Sequence, residues 1–397
     1  MRFVTVLVIG VCVGVLSATA ADNKTPKPAD ELPAVKELPS PFVFSDGTPV
    51  RNADDWSRRR QQLKDLFQEY MYGHMPPKPQ RTTIGRGEWT RDEENKVVSQ
   101  DVELKLSQND KTLALHVHVV LPSDGKEPLP VVVQSSFGRR GGASTNKRFT
   151  VYTERGYAVA ECSFNEAAID NKSTARTAGV YALFGDKIDC GGLMAWAWCV
   201  SRVLDALKTV DRVDAKKAIV TGHSRYGKAA LIAGAFDERI ALTVPSHSGC
   251  AGAAPYRFIY GRSEQLHNIV GAFPHWFRPD FNQFIGKVER LPVDQHLLIA
   301  LVAPRALLAT EGTQDTWINP EGSQLTHLAA KKVYDFLNAG DKISIRFRPV
   351  GHIPSTEDLL DYADHVFKNK PLPDAFGKLP YKEEKDGFSW DTPKGGS

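Results

Sequence analysis

The segment Ala218-Ile219-Val220-Thr221-Gly222-His223-Ser224-Arg225-Tyr226-Gly227-Lys228 decides the fold. It opens as a short buried strand, Ala218 to Thr221, turns at Gly222, and gives way to a helix pattern over Lys228 to Ala235. A strand that runs through Gly-His-Ser into a helix is the layout of a nucleophile elbow. Small neighbours let the backbone bend sharply there, so that the serine hydroxyl projects. The usual spelling is G-x-S-x-G, and here the second glycine comes one place late, at Gly227. Taken alone, G-x-S-x-x-G arises by chance in ~10–15% of chains of this length, given Gly and Ser frequencies of about 7%. Its position between strand and helix is what gives it weight. The following helix also aims backbone N–H groups at any negative charge developing beside Ser224.

Outward from this segment, short apolar runs alternate with helical patterns. Pro130 to Val133, Tyr157 to Ala160, Ala306 to Ala309 and Ile343 to Phe347 read as strands. The first two are continuous apolar runs, as strands buried on both faces of a parallel sheet require. Leu193 to Val210 and Glu357 to Lys368 read as helices. Upstream, Asp54 to Tyr72 carries Trp56, Leu63, Leu66, Phe67 and Tyr70 at helical spacing and stops before Met75-Pro76-Pro77. Residues 80–123 alternate instead, through Val102, Leu104 and Leu106 and then Leu113, Leu115, Val117 and Val119, which predicts an antiparallel hairpin or meander. Strands alternating with helices predict an α/β fold.

Composition narrows the function classes. The chain has 397 residues, 42% hydrophobic and 24% charged, with 50 Lys+Arg against 47 Asp+Glu. These ordinary globular values exclude a disordered, collagen-like or coiled-coil protein. A net charge of +3 gives no electrostatic case for a nucleic-acid partner. Residues 1–20 read as a signal peptide: Arg2, an apolar run from Phe3 to Leu16, then the small-x-small pattern Ala18-Thr19-Ala20. The expected location is secreted or periplasmic, with no membrane span after cleavage. Residues 21–45, rich in Pro and charge, read as an extended arm. Residues 46–375 read as the α/β-hydrolase domain and 376–397 as a polar tail. Cys162, Cys190, Cys199 and Cys250 contain no C-x-x-C pair, so no zinc ribbon or thioredoxin-type site is expected, and three disulfide pairings stay open.

A serine nucleophile needs a base, and the base needs an orienting acid. In α/β-hydrolases these follow in the order Ser, Asp or Glu, His. Downstream, the strand ending near Thr310 opens into Glu311-Gly312-Thr313-Gln314-Asp315-Thr316-Trp317. The next strand opens into Val350-Gly351-His352. Both lie just past the C-terminal end of a strand, where open α/β sheets place their sites. Ser224, Asp315 and His352 thus satisfy order and placement together, with Glu311 as the alternative acid. His267, His275, His296, His327 and His365 lack this placement and read as structural or surface residues. The predicted architecture is an α/β-hydrolase: a mainly parallel central sheet flanked by helices in a three-layer sandwich.

At this point the sequence resembles a known family. Gly222-His223-Ser224-Arg225-Tyr226-Gly227-Lys228 is similar to the G-C/H-S-R-x-G-K signature of the glucuronoyl esterases, carbohydrate esterase family 15. The likeness continues through Phe236 to Leu242, Ser248 to Gly252, Phe273-Pro274-His275-Trp276-Phe277, Asp294-Gln295-His296, Ala303-Pro304-Arg305 and Trp317 to Gly322. It implies hydrolysis of esters that link 4-O-methyl-glucuronic acid on xylan to lignin alcohols, with no metal and no organic cofactor. The implied partner is plant cell-wall glucuronoxylan, the implied setting lignocellulose degradation, and a monomer is expected. Residue by residue, the resemblance implies Ser224 as nucleophile and His352 as base. It implies Arg225 as an oxyanion donor, Lys228 as a ligand for sugar hydroxyls, and Trp317 as a lining of the glucuronate subsite.

Two departures stand out. Many members carry the acid in a P-x-E-S-G context, which here reads Pro245-Ser246-His247-Ser248-Gly249. Histidine cannot replace that carboxylate, whereas Asp315-Thr316-Trp317 matches the later acid of some bacterial members. Gly261-Arg262-Ser263 also lacks a sugar-contacting Glu, for which Glu264 is the candidate substitute. These departures leave two further readings open: another polysaccharide esterase on the same scaffold, such as an acetyl esterase, and an inactive carbohydrate-binding homologue.

Overall fold

A computed structural model describes residues 26–125, 127–135, 143–382, 384 and 387–393. The signal peptide expected over 1–20 lies outside them. Ten strands are described: β1 (Arg81–Arg86), β2 (Thr90–Asp92), β3 (Val97–Gln108), β4 (Lys111–Pro122), β5 (Leu129–Ser135), β6 (Ala158–Cys162), β7 (Val213–His223), β8 (Ile240–Ser246), β9 (Ala306–Gly312) and β10 (Ile343–Arg348). They form one sheet in the order β1-β3-β4-β6-β5-β7-β8-β9-β10, with β2 beside β3. From β6 to β10 all neighbours pair in parallel, while β1, β3 and β4 form an antiparallel wing that joins through β4 and β6. The alternating pattern of 80–123 builds this wing, and the continuous apolar runs build the parallel part.

Period-two alternation explains why helices cover both faces. Val131, Val133, Ala158, Ala160, Ala218, Val220 and Leu307 face the helices Gly192–Leu207 and Arg225–Phe236 in the larger core. Val132, Val159, Ile219, Leu242 and Leu308 point the other way, onto Leu359, Leu360, Tyr362 and Ala363 of the helix Thr356–Lys368. The result is the three-layer α/β-hydrolase architecture. Strand β8 and the helix Pro320–Phe336 were not anticipated from the sequence. Where the sequence suggested an arm and a tail, Leu38 is buried with Leu325 and Ala329, and the Trp390 indole donates to its carbonyl at 2.7 Å.

The chain steps from β5 to β6 on one side and then crosses to β7 on the other. This reversal of strand order opens a crevice at the C-terminal strand ends, and Ser224 follows directly after β7. The loop after β10 is anchored on its far side by the helix Thr356–Lys368, whose buried Asp364 accepts from Arg155 Nη2 at 2.7 Å and from Tyr157 Oη at 2.6 Å. Lys368 and Lys370 add ion pairs at 2.8 and 2.7 Å. Burial alone would raise the Asp364 carboxyl, but these donors outweigh it and hold it well below the usual range.

A depressed folded value means that the stabilising contribution is present above about pH 4, the unfolded range, and is lost as pH falls through the folded value. The cationic partners are 30%, 31% and 58% exposed and can rehydrate, so the cost of breaking the cluster stays moderate. Asp364→Asn is expected to lower unfolding free energy by about 1–2 kcal/mol at pH 7. In urea titrations, that difference should shrink as the pH is lowered below about 4. A difference that stayed constant down to pH 2 would refute this account.

Candidate active site

Ser224 sits at φ +58° and ψ −122° at the head of the helix Arg225–Phe236. For a residue with a Cβ this is strained backbone, the geometry an elbow needs. Its N–H donates to Ser246 O on β8 at 2.9 Å, while Gly227 N and Lys228 N donate back to Ser224 O. The late second glycine now has a physical reason. A Cβ on Gly222 would lie 2.3 Å from Tyr226 O, and one on Gly227 would lie 2.8 Å from Ser246 O and 2.9 Å from Gly222 O. Position 227, rather than 226, is where the turn passes under the neighbouring strand.

The next three strand ends bring their loops to the same place. His247 follows β8, Asp315 follows β9, and His352 follows β10. His352 Nδ1 lies 2.5 Å from Asp315 Oδ2. Its ring centroid is 4.3 Å from that of His223, the residue before Ser224, and 5.6 Å from that of His247. The structure therefore pairs His352 with Asp315 and sets the pair against the elbow. Glu311 is fully buried, and burial pushes its carboxyl well above the usual range, with Ser323 the chief polar group opposing the shift. His247 is 1% exposed, and its Nδ1 lies 3.1 Å from Ser246 Oγ. Burial lowers His223 and His247 to about 4 each, so both imidazoles are neutral at neutral pH.

Arg225 Nη1 donates to Asp170 Oδ2 at 2.6 Å. Asp170 Oδ1 lies 2.9 Å from His275 Nε2 and accepts from Trp276 Nε1 at 2.7 Å. Burial would raise the Asp170 carboxyl, but hydrogen bonds from His275, Arg225 and Trp276 hold it at about 2. The sequence reading missed Asp170 and took His275 for a structural or surface residue. Only the Phe273–Phe277 motif pointed to this loop.

Lys228 is 5% exposed and gives its ammonium to Ser248 O and Cys250 O, both at 2.6 Å. It sits 3.9 Å from Glu264. The resemblance implied a direct ligand for sugar hydroxyls; here the ammonium is committed chiefly to loop carbonyls. Burial raises the Glu264 carboxyl, and Lys228 and the Trp317 side chain pull it back. Glu264 N donates to Trp317 O at 2.9 Å, and the Trp317 side chain stands 51% exposed. Lys228, Glu264 and Trp317 thus form one cluster, an aromatic face beside a half-buried acid. The four described cysteines are all buried free thiols. Among the described residues, no helix is long and apolar enough to cross a membrane.

Fold and site together define the class: an α/β-hydrolase of the carboxylic ester hydrolase type. The family model described as glucuronyl esterase, fungi, matches residues 104–338. The carbohydrate esterase MZ0003, from an unknown prokaryotic organism, is 31% identical over 386 residues, covering 83% of this chain and 89% of that one. The 4-O-methyl-glucuronoyl methylesterase of Schizophyllum commune is 30% identical, covering 95% of each. A solved carbohydrate esterase family 15 glucuronoyl esterase from Caldicellulosiruptor kristjansonii superposes with TM-score 0.78 at 35% identity, over 92% of this chain and 99% of that one. The chain belongs to the glucuronoyl esterase family.

Gly222→Ala tests the elbow directly. Its new methyl would meet backbone, which cannot swing away. The variant is expected to lose about 2–3 kcal/mol of stability and most ester hydrolysis. Wild-type melting temperature and turnover in this variant would show that the turn does not need a bare Cα there.

Proposed function

We propose that the protein is an exported serine esterase that hydrolyses 4-O-methyl-glucuronoyl esters, joining glucuronoxylan to lignin alcohols, through an acyl-enzyme. The observation that carries this reading is the 2.5 Å contact between His352 Nδ1 and Asp315 Oδ2 beside the Ser224 turn. The carboxylate fixes the proton on Nδ1 and leaves Nε2 as the base. Nε2 takes the proton from Ser224 Oγ as the oxygen attacks the ester carbonyl carbon. The carbonyl electrons move onto oxygen, where N–H groups at the helix start and the Arg225 guanidinium receive them. Collapse breaks the bond to the alcohol, which leaves with the proton from His352. Water, deprotonated by the same nitrogen, then attacks the acyl carbon, releasing the uronate and restoring the Ser224 hydroxyl.

Asp315 stabilises the imidazolium formed in each half. The exposed Trp317 face and the Glu264 carboxylate supply the stacking and hydrogen bonding that a pyranose ring needs. This reading assigns the sugar side of the ester to that cluster, which favours uronate over a simple acetyl group.

Three variants test the roles, measured as hydrolysis of a benzyl glucuronate ester. Ser224→Ala is expected to abolish turnover. Asp315→Asn is expected to lower kcat by about 10³–10⁴-fold, since it leaves His352 in the wrong tautomer. Glu311→Gln is expected to stay within a few-fold of wild type. Activity retained by the first variant would remove the serine mechanism, and a crippled Glu311→Gln beside an active Asp315→Asn would reassign the acid. Faster turnover of acetylated sugars than of methyl glucuronate would overturn the choice of substrate.

A further inference from the structure

Arg225 is held more firmly than an oxyanion donor requires. One edge of its guanidinium is tied to Asp170 at 2.6 Å. Its central carbon lies 5.2 Å from the Phe273 ring centroid and 5.3 Å from that of Trp276. Those two rings stack on each other at 3.9 Å and 5°. Asp170 is fixed in turn by His275 and Trp276, so its carboxylate has three partners from two distant segments. The Arg225 side chain nevertheless remains 38% exposed. Among the described residues, its guanidinium makes no second hydrogen bond that would turn it away from solvent.

The charge change of the proposed reaction gives this arrangement a purpose. The substrate is a neutral ester and the product is a uronate anion. A bare guanidinium beside the acyl carbon would grip that product, since Arg–carboxylate pairs are strong and often bidentate. A transition-state oxyanion needs oriented N–H groups at contact distance. A departing carboxylate is retained by net charge, which also acts at longer range. A carboxylate already paired with the guanidinium removes much of the net charge and leaves oriented donors in place. We propose that Asp170 is a positioning residue that both aims Arg225 and cancels its charge, so that the site receives the oxyanion yet lets the uronate go. The inference rests on the role given to Arg225 above.

The test uses the full chain and reads three quantities: kcat and KM for a benzyl glucuronate ester, the inhibition constant of free glucuronate, and the melting temperature. Asp170→Asn is expected to lower kcat about tenfold or more. It should also tighten glucuronate inhibition roughly tenfold, because Arg225 is left with an uncancelled charge. A purely structural role would lower the melting temperature without tightening product binding. Asp170→Glu keeps the charge but moves it, so turnover should fall while inhibition stays near wild type. Trp276→Phe removes one donor to Asp170 and leaves the ion pair, so it should lower kcat with inhibition unchanged, whether or not Asp170→Asn folds. Asp170→Asn combined with Arg225→Gln should match Arg225→Gln alone, the coupling expected when one residue acts through the other. Folded Asp170→Asn with wild-type turnover or wild-type inhibition overturns the proposal, as do additive losses in the double variant. Arg225→Gln at wild-type rate would instead remove the underlying reading of Arg225, a separate failure.

Discussion

A serine forced to φ +58° and ψ −122° is the constraint around which the site is arranged. Such backbone costs on the order of 1–3 kcal/mol and persists only where its surroundings over-determine it. Here the surroundings do so from three sides. The Ser224 amide is tied to Ser246 on the adjacent strand. The two glycines let Tyr226 and the strand end approach closer than any side chain would allow. Below, the Tyr226 ring meets Phe164 edge-on at 5.5 Å and Trp196 at 5.4 Å, so the turn rests on buried aromatics. The hydroxyl is therefore presented by the packing of the whole central sheet rather than by a local loop preference.

Electrostatics around His352 are set by what burial does to its neighbours. Two more imidazoles lie within 5.6 Å of its ring, and either one, if charged, would repel the imidazolium that the proposed reaction forms. Burial is the largest cause of the low values at both His223 and His247. Asp315, 9% exposed, is left as the hydrogen-bonded carboxylate of the group. The Asp315 carboxylate thus faces the developing positive charge with two neutral rings beside it, and the nearby Arg348, which also disfavours charge on both rings, is paired with Asp358 at 3.0 Å.

Much of this was legible in the sequence, because the informative residues stand at strand ends. Parallel strands buried on both faces announce themselves as apolar runs, and Ser224 and Asp315 each follow one, Ala218 to Thr221 and Ala306 to Ala309, while His352 follows the alternating strand Ile343 to Phe347. The helix Pro320–Phe336 escaped notice because it buries Ser323, Gln324, Thr326 and His327 along with its apolar residues, so no clean hydrophobic stripe exists to read. Strand β8 carries Pro245 close to its end, which demotes a strand reading. The Asp170 cluster joins residues 55, 105 and 106 positions apart in the chain. No local spacing encodes such a contact; only the closure of the sheet and the wrap of the Phe273–Phe277 loop create it.

The same sheet logic explains how a histidine can occupy position 247 while the carboxylate comes from elsewhere. Strands β9 and β10 pair through Phe347↔Glu311 and Arg348↔Gly312. The pairing continues past the strand ends, with Thr313 N donating to Arg348 O at 2.9 Å and Gln314 N to Val350 O at 3.1 Å. The loops that carry Asp315 and His352 are therefore zipped to each other before either side chain is considered. A Cβ at position 312 would lie 2.5 Å from Val350 O, 2.6 Å from Gly351 O and 2.9 Å from His247 Nε2, so a glycine there lets all three pack together. Asp315 reaches His352 Nδ1 from this joint without help from β8. The end of β8 is then free to carry a neutral ring, whose task is to fill the joint rather than to bear charge.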